Sequence, residues 1–168
     1  MKDTALDDAL DVVRHRASGY DRVKADAPGY ANARPVDMSV PYAAGAMRST
    51  VHDLLIWSDA LIHGRVLSPK SYEQMTTAAR VASGGLPLRT RRDGSTQPVS
   101  YGLGVELAGE PDALLIVHGG AIDGFTSDLK IFASRDAAVA VLVNTSPSQH
   151  LPFAKVGKAI GRELEAFP

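Results

Sequence analysis

Residues 137–143, Ala-Ala-Val-Ala-Val-Leu-Val, form an apolar run with no polar interruption. Such a run reads as a strand buried on both faces. Ser134-Arg135-Asp136 stands just before it and makes a tight turn, so 137–143 is expected to pair antiparallel with the preceding apolar stretch, Ser127–Phe132. Tyr101–Leu107 and Ala113–Val117 read as two further strands of the same meander.

The sequence upstream has a different character. Residues 1–47 read as mostly irregular, with prolines at 28, 35 and 41 and one short helix expected over Ala5–Arg14. A firm helix begins at Ser49 or Thr50, either of which can cap it, with Asp53 placed to meet the free N–H groups of its first turn. Val51, Leu54, Leu55, Ser58, Leu61 and Ile62 share one face of this helix, Trp57 borders that face, and Gly64 ends the helix. Ser68-Pro69 starts a second helix, expected to reach Ala79 with Tyr72 and Met75 inward. Ala82–Pro98 reads as a loop, flanked or occupied by Arg80, Arg89, Arg91 and Arg92, which read as a solvated basic surface. An amphipathic helix over Leu151–Phe167 should cover the sheet. Helices first, an antiparallel sheet next and a covering helix last make an α+β order. Residues 1–99 form the irregular and helical part, and 100–168 the strands with their helix.

Formal net charge is −1 over 168 residues, which favours neither nucleic acid nor an acidic membrane surface. There is no cysteine, so disulfides, thiolate metal sites and a cysteine nucleophile are excluded. No apolar run approaches the roughly 20 residues of a membrane span. Met1-Lys2-Asp3-Thr4, followed by Asp7 and Asp8, does not read as a signal peptide. Cytoplasm and periplasm both stay open.

The best candidate for chemistry is His118-Gly119-Gly120-Ala121, followed by Asp123, Gly124 and Phe125. It ends the apolar stretch Leu114–Val117. Small residues there let a substrate backbone lie close, and free N–H groups can bind an oxyanion. A histidine beside them can donate a hydrogen bond or a proton near neutral pH. Asp123 can orient a group at the site or simply polarise the turn.

Two other patterns are set aside. Ser127-Asp128-Leu129-Lys130 fits S-x-x-K, but that pattern needs a helix to bring serine and lysine to one face. In a strand, positions three apart point to opposite faces. Tyr30-Ala31-Asn32 fits Y-x-N, but close after Pro28-Gly29 it reads more easily as a turn. Tyr101-Gly102-Leu103-Gly104 is no dinucleotide fingerprint. The five histidines show no metal-ligand spacing, so neither a metal nor a cofactor is expected.

Several stretches, in order, resemble the β-lactamase-related serine hydrolases: class C β-lactamases, penicillin-binding proteins, D-alanyl-D-alanine carboxypeptidases, D-aminopeptidases and family VIII esterases. Met1–Thr4 resembles the family's "GM-x-x-T" and Arg16–Tyr20 its "A-x-GY". Ala43–Leu54 resembles "AAGG-x-x-ST-x-x-DL", with Trp57 and Ala60-Leu61 in their usual places. Leu67-Ser68-Pro69, Tyr101–Gly104, His118-Gly119-Gly120, Gly124-Phe125 and Asn144 follow. The resemblance implies the C-terminal portion of the β-lactamase and penicillin-binding-protein fold, with the N-terminal strands of the sheet missing. It makes His118-Gly119-Gly120 the third active-site motif, K-T-G or H-x-G, on the strand edging the cleft. Ala121 N–H becomes one of two oxyanion donors, and His118 places the substrate and influences proton transfer. Gly119, Gly120, Asp123, Gly124 and Phe125 line the small acyl substrate.

The family's S-x-x-K and Y-x-N fall before the position matching Met1. The nucleophile and its own N–H, the second oxyanion donor, are then absent, and the chain alone should hydrolyse almost nothing. The 137–143 strand would lose its neighbours, and an open apolar edge seeks another chain. The expected partner is the missing N-terminal segment or a second copy. The competing readings are a non-catalytic binding or assembly module on the same scaffold, and a self-contained hydrolase using the residues set aside above.

Overall fold

The computed structural model describes residues 1–8, 10–23, 29–91, 93–146, 159, 160 and 163. Met1–Trp57, Gly119–Leu129 and Val139–Pro168 cluster as one compact unit, and Ser58–His118 with Lys130–Ala138 as a second.

The first unit opens with β1 (Ala5–Leu6), the hairpin of β2 (Tyr20–Arg22) and β3 (Tyr30–Asn32), the one-turn helix α1 (Tyr42–Gly45) and β4 (Met47–Arg48). β1 pairs antiparallel with β4, Ala5 opposite Arg48 and Leu6 opposite Met47, where a helix over 5–14 was expected. Tertiary partners override a weak local preference here. Asp7 accepts from Arg16 and from Arg48 Nη1, the latter at 3.1 Å, which fixes the extended backbone beside it. Tyr30-Ala31-Asn32 is likewise a strand and not a turn, because β2 gives it a partner, Arg22 opposite Tyr30.

Helix α2 (Val51–Ile62) begins where the sequence places it. Thr50 Oγ1 accepts from Asp53 N at 3.1 Å, and Gly64, with φ +66°, follows its end. Its buried face keeps Ser58 and Leu61 of the apolar stripe, with Leu54 and Ile62 half-buried, and adds Asp53 in place of Val51 and Leu55. Asp53, Ser58 and Leu61 are buried, while Val51, Leu55 and Trp57 are exposed. The carboxylate of Asp53 draws the helix round toward the donors described below.

In the second unit, α3 (Pro69–Met75) is capped by Ser68, whose side chain accepts from Ser71 N at 3.2 Å. It stops before Ala79 because the Thr76 and Thr77 hydroxyls donate back to the Tyr72 and Glu73 carbonyls, and Leu103 N takes the Met75 carbonyl at 3.1 Å. Tyr72 and Met75 are half-buried as expected. The expected loop over 82–98 contains a hairpin, β5 (Leu88–Thr90) with β6 (Thr96–Pro98), turning at Asp93-Gly94. Arg89 pairs with Glu106 at 2.8 Å, Arg91 with Gln97 and Arg80 with the Gly84 carbonyl. β7 (Glu106–Ala108) is shorter than the expected Tyr101–Leu107, since Gly102 N bonds Val105 O and closes a turn there.

β8 (Leu115–Ile122), β9 (Phe125–Phe132) and β10 (Ala137–Val143) complete a four-stranded sheet in the order β10-β9-β8-β7. The short links between these consecutive strands require antiparallel neighbours. A 3-10 turn and Asp136, with φ +49°, form the tight turn before β10. β10 is half-buried and not buried on both faces, because it is a sheet edge among the described residues. Val99, Leu107, Ile116, Ile131 and Phe132, with Leu61, make the buried apolar core of the second unit. The closing helix expected over 151–167 lies outside the described residues, except that 159, 160 and 163 are helical.

Candidate functional site

His118-Gly119-Gly120-Ala121 lies inside β8, which runs on through Ile122, and not after the strand's end as the apolar pattern suggested. The direction of each backbone N–H follows from the pairing. β7 pairs with β8 as Glu106 opposite Val117 and Ala108 opposite Leu115. Leu107 N donates to Ser100 O, away from β8, so the hydrogen-bonded partners on that side are Leu115 and Val117. The Leu114 carbonyl accepts from Ala133 N on the opposite side, where β9 lies. Alternation along the strand then aims the N–H groups of Gly119 and Ala121 at the β7 side. β7 pairs only as far as Val117, so that edge is open beside Gly119 and Ala121 among the described residues.

Gly119, Ala121 and His118 are exposed, and His118 has no side-chain hydrogen bond or ion pair among the described residues. Gly120 faces Ser127 across the hairpin: a Cβ on Gly120 would stand 2.4 Å from Ser127 Oγ. Asp123 is exposed in the turn, Gly124 is buried and Phe125 is partly exposed. Ser127-Asp128-Leu129-Lys130 is part of β9, so serine and lysine point to opposite faces of the sheet, as expected.

The family model described as Beta-lactamase matches residues 1–158. The chain belongs to the beta-lactamase family. The unguisins hydrolase ungD' of Aspergillus campestris is 28% identical over 167 residues, 98% of this chain and 30% of that protein. The D-amino acid amidase of Ochrobactrum anthropi SV3, solved with L-phenylalanine amide, is 25% identical with a TM-score of 0.69, covering 99% of this chain and 46% of that one. A penicillin-binding protein from Bacillus halodurans shares the fold at 16% identity, with a TM-score of 0.68, over 95% of this chain and 44% of its own. This beta-lactamase-family chain thus spans less than half the length of these relatives. It has the α+β fold of the β-lactamase and penicillin-binding-protein group, in part.

Two clusters were not apparent from sequence. Asp53 is 2% exposed. It accepts from Lys2 N at 3.2 Å, from Asp3 N at 2.8 Å and from Thr4 Oγ1 at 2.7 Å. Burial pushes its carboxyl up, but the Thr4 hydroxyl and the two N–H groups outweigh that and hold it below the ordinary 3.8. The signal was present in part, since Asp53 was read as a first-turn helix carboxylate and its distant partners were invisible. The second cluster is Asp59, His63 and Asp136, whose ligand atoms lie within 4.8 Å of one another. It corrects the reading that no histidine has metal-ligand spacing: Asp59 and His63 are one helical turn apart, and the β9–β10 turn brings in Asp136. All three are exposed, and Asp59 is already paired with Arg65.

Proposed function

We propose that this chain supplies the histidine-glycine wall and one oxyanion donor of a serine hydrolase acting on amide or ester bonds, with the nucleophile on another stretch of polypeptide. The observation that carries this reading is the open edge of β8, to which Gly119 and Ala121 present their N–H groups. A substrate backbone laid along that edge meets no side chain at the glycines. As a nucleophile attacks, the substrate carbonyl oxygen gains charge, and Ala121 N–H meets it without reorganising. One such donor is worth about 3 kcal/mol of barrier. His118 orients the carbonyl or a substrate carboxylate and influences proton transfer. Gly119, Gly120, Asp123, Gly124 and Phe125 line the acyl group.

Amide substrates are favoured by the relatives, one of them a D-amino acid amidase. Acyl transfer needs a serine activated by a base within hydrogen-bond reach. Ser127 and Lys130 do not meet that need from one strand, so the chain alone is proposed to be inactive. The edge of β10 is proposed to take the strands that accompany S-x-x-K and Y-x-N.

Hydrolysis of a D-amino acid amide, an ester and a penicillin is measured with the chain alone and with an added N-terminal fragment of the same hydrolase. Turnover should need both pieces, and His118→Ala should lower kcat by at least tenfold. A dimer of the chain through β10 would replace the fragment as partner. Covalent labelling of Ser127 by a fluorophosphonate would sink the reading.

A further inference from the structure

The turn after the candidate wall has an uneven backbone. Gly124 has φ +83°, while Asp123 is not among the residues with positive φ. A two-residue hairpin whose twist suits its strands usually needs positive φ at the first turn position or at both. The turn is also held from outside the hairpin, by residues of the first unit. Gly124 N donates to Ser146 Oγ at 2.6 Å, and Ser146 Oγ donates to Asp21 Oδ1. The single hydroxyl proton is committed to the carboxylate, which leaves a lone pair facing Gly124 N–H. Asp21 is fixed in turn by β2, where it stands opposite Ala31. Ser146 N donates to Tyr20 O at 2.9 Å, so Asp21 and Ser146 are both tied to the β2 backbone. The fit leaves no slack: a Cβ on Gly124 would stand 2.8 Å from both Ala33 Cβ and Gly19 Cα.

We infer that Asp21 and Ser146 are positioning residues, which set the β8–β9 turn and through it the direction of Ala121 N–H. The role in catalysis rests on the hydrolase reading above, whereas the relay itself is tested without any substrate. Neither residue is placed to touch substrate. Asp21 acts only through Ser146, and Ser146 only through Gly124.

Amide hydrogen exchange is followed residue by residue in the full chain, for wild type, Ser146→Ala, Ser146→Thr, Asp21→Asn and the double variant Asp21→Asn/Ser146→Ala. Ser146→Ala should speed exchange at Gly124 at least tenfold and perturb the Gly119 and Ala121 resonances, with α3 amides unchanged. Ser146→Thr, which keeps the hydroxyl, should restore slow exchange. The double variant should be no worse than Ser146→Ala, because the two residues act in series. Unchanged Gly124 exchange in Ser146→Ala, or an equal rise throughout the chain, overturns the inference. So does failure of the threonine to rescue. Faster Gly124 exchange in Ser146→Ala with threonine rescue, together with no turnover in the two-piece assay, would instead remove the hydrolase reading and leave the relay standing.

Discussion

The two compact units are held together by different means. The second buries Leu61, Val99, Leu107, Ile116, Ile131 and Phe132 among themselves and their neighbours. The first has one buried hydrophobic side chain among the described residues, Ala46, and leaves Leu6, Leu10, Val40, Tyr42 and Met47 exposed, Leu10 at 90%. Its cohesion comes from directed polar clamps: Asp53 on Lys2, Asp3 and Thr4; Asp7 between Arg16 and Arg48; Ser146 between Asp21 and Gly124. Apolar burial gives bulk stability, whereas hydrogen bonds each contribute little net and mainly specify conformation. Among the described residues, the first unit thus relies on polar contacts that specify conformation more than on apolar burial.

The largest expected effect breaks the second unit. Ile131 is 1% exposed in β9, and Ile131→Ala leaves a cavity costing about 2–5 kcal/mol. Thermal unfolding should fall by roughly 5–15 °C. Exchange should rise throughout the second unit. Asp53→Ala should come next. It strands the N–H groups of Lys2 and Asp3 without an acceptor, and the melting temperature should fall by about 5 °C. The stronger readout is local: proteolysis within residues 1–8 should quicken while α3 exchange stays slow. If Asp53→Ala loosened the second unit as much as the first, the contrast between them would fail.

Acid sharpens the same contrast. The Asp53 carboxyl is held below its unfolded value, so its stabilisation is complete above about 3.8 and is lost as pH falls through the lower native value. Asp53→Asn lacks that titration. The gap in melting temperature between wild type and Asp53→Asn should therefore be constant from pH 7 to about 5 and should shrink below about 3.8. Thr4→Val, which removes one donor and leaves both backbone N–H bonds, should cost less than Asp53→Ala and should move the wild-type acid midpoint upward.

The sequence carried the parts whose cause is local. The starts of α2 and α3 are set by Thr50 and Ser68, residues whose side chains cap them, and β10 by an apolar run with a turn ahead of it. What the sequence concealed depends on partners far along the chain. Ala5–Leu6 is a strand because Met47–Arg48 lies beside it, and Tyr30–Asn32 because of Tyr20–Arg22. The wall motif was legible as a motif, yet its position inside β8 was not. Glycines end strands by default, and only the pairing with β9 carries this one on to Ile122. Asp21 and Ser146 stand 125 residues apart and gave no signal at all.

The smallest expected effect concerns the far end of α2. His63 Nδ1 lies 3.0 Å from Asp59 Oδ1 and its Nε2 lies 3.6 Å from Asp136 Oδ1, with Arg65 on Asp59 as well. On a diagram this cluster looks as rich as the one around Asp53, but every member of the triad is exposed. Water solvates these charges about as well as they solvate one another, and exposed pairs contribute about 0–1 kcal/mol. His63→Ala should therefore shift the melting temperature by no more than about 2 °C, and raising the salt concentration should shrink even that. The same number of polar contacts thus has unequal consequences on one helix. A large effect of His63→Ala would mean that burial is not what separates Asp53 from Asp59.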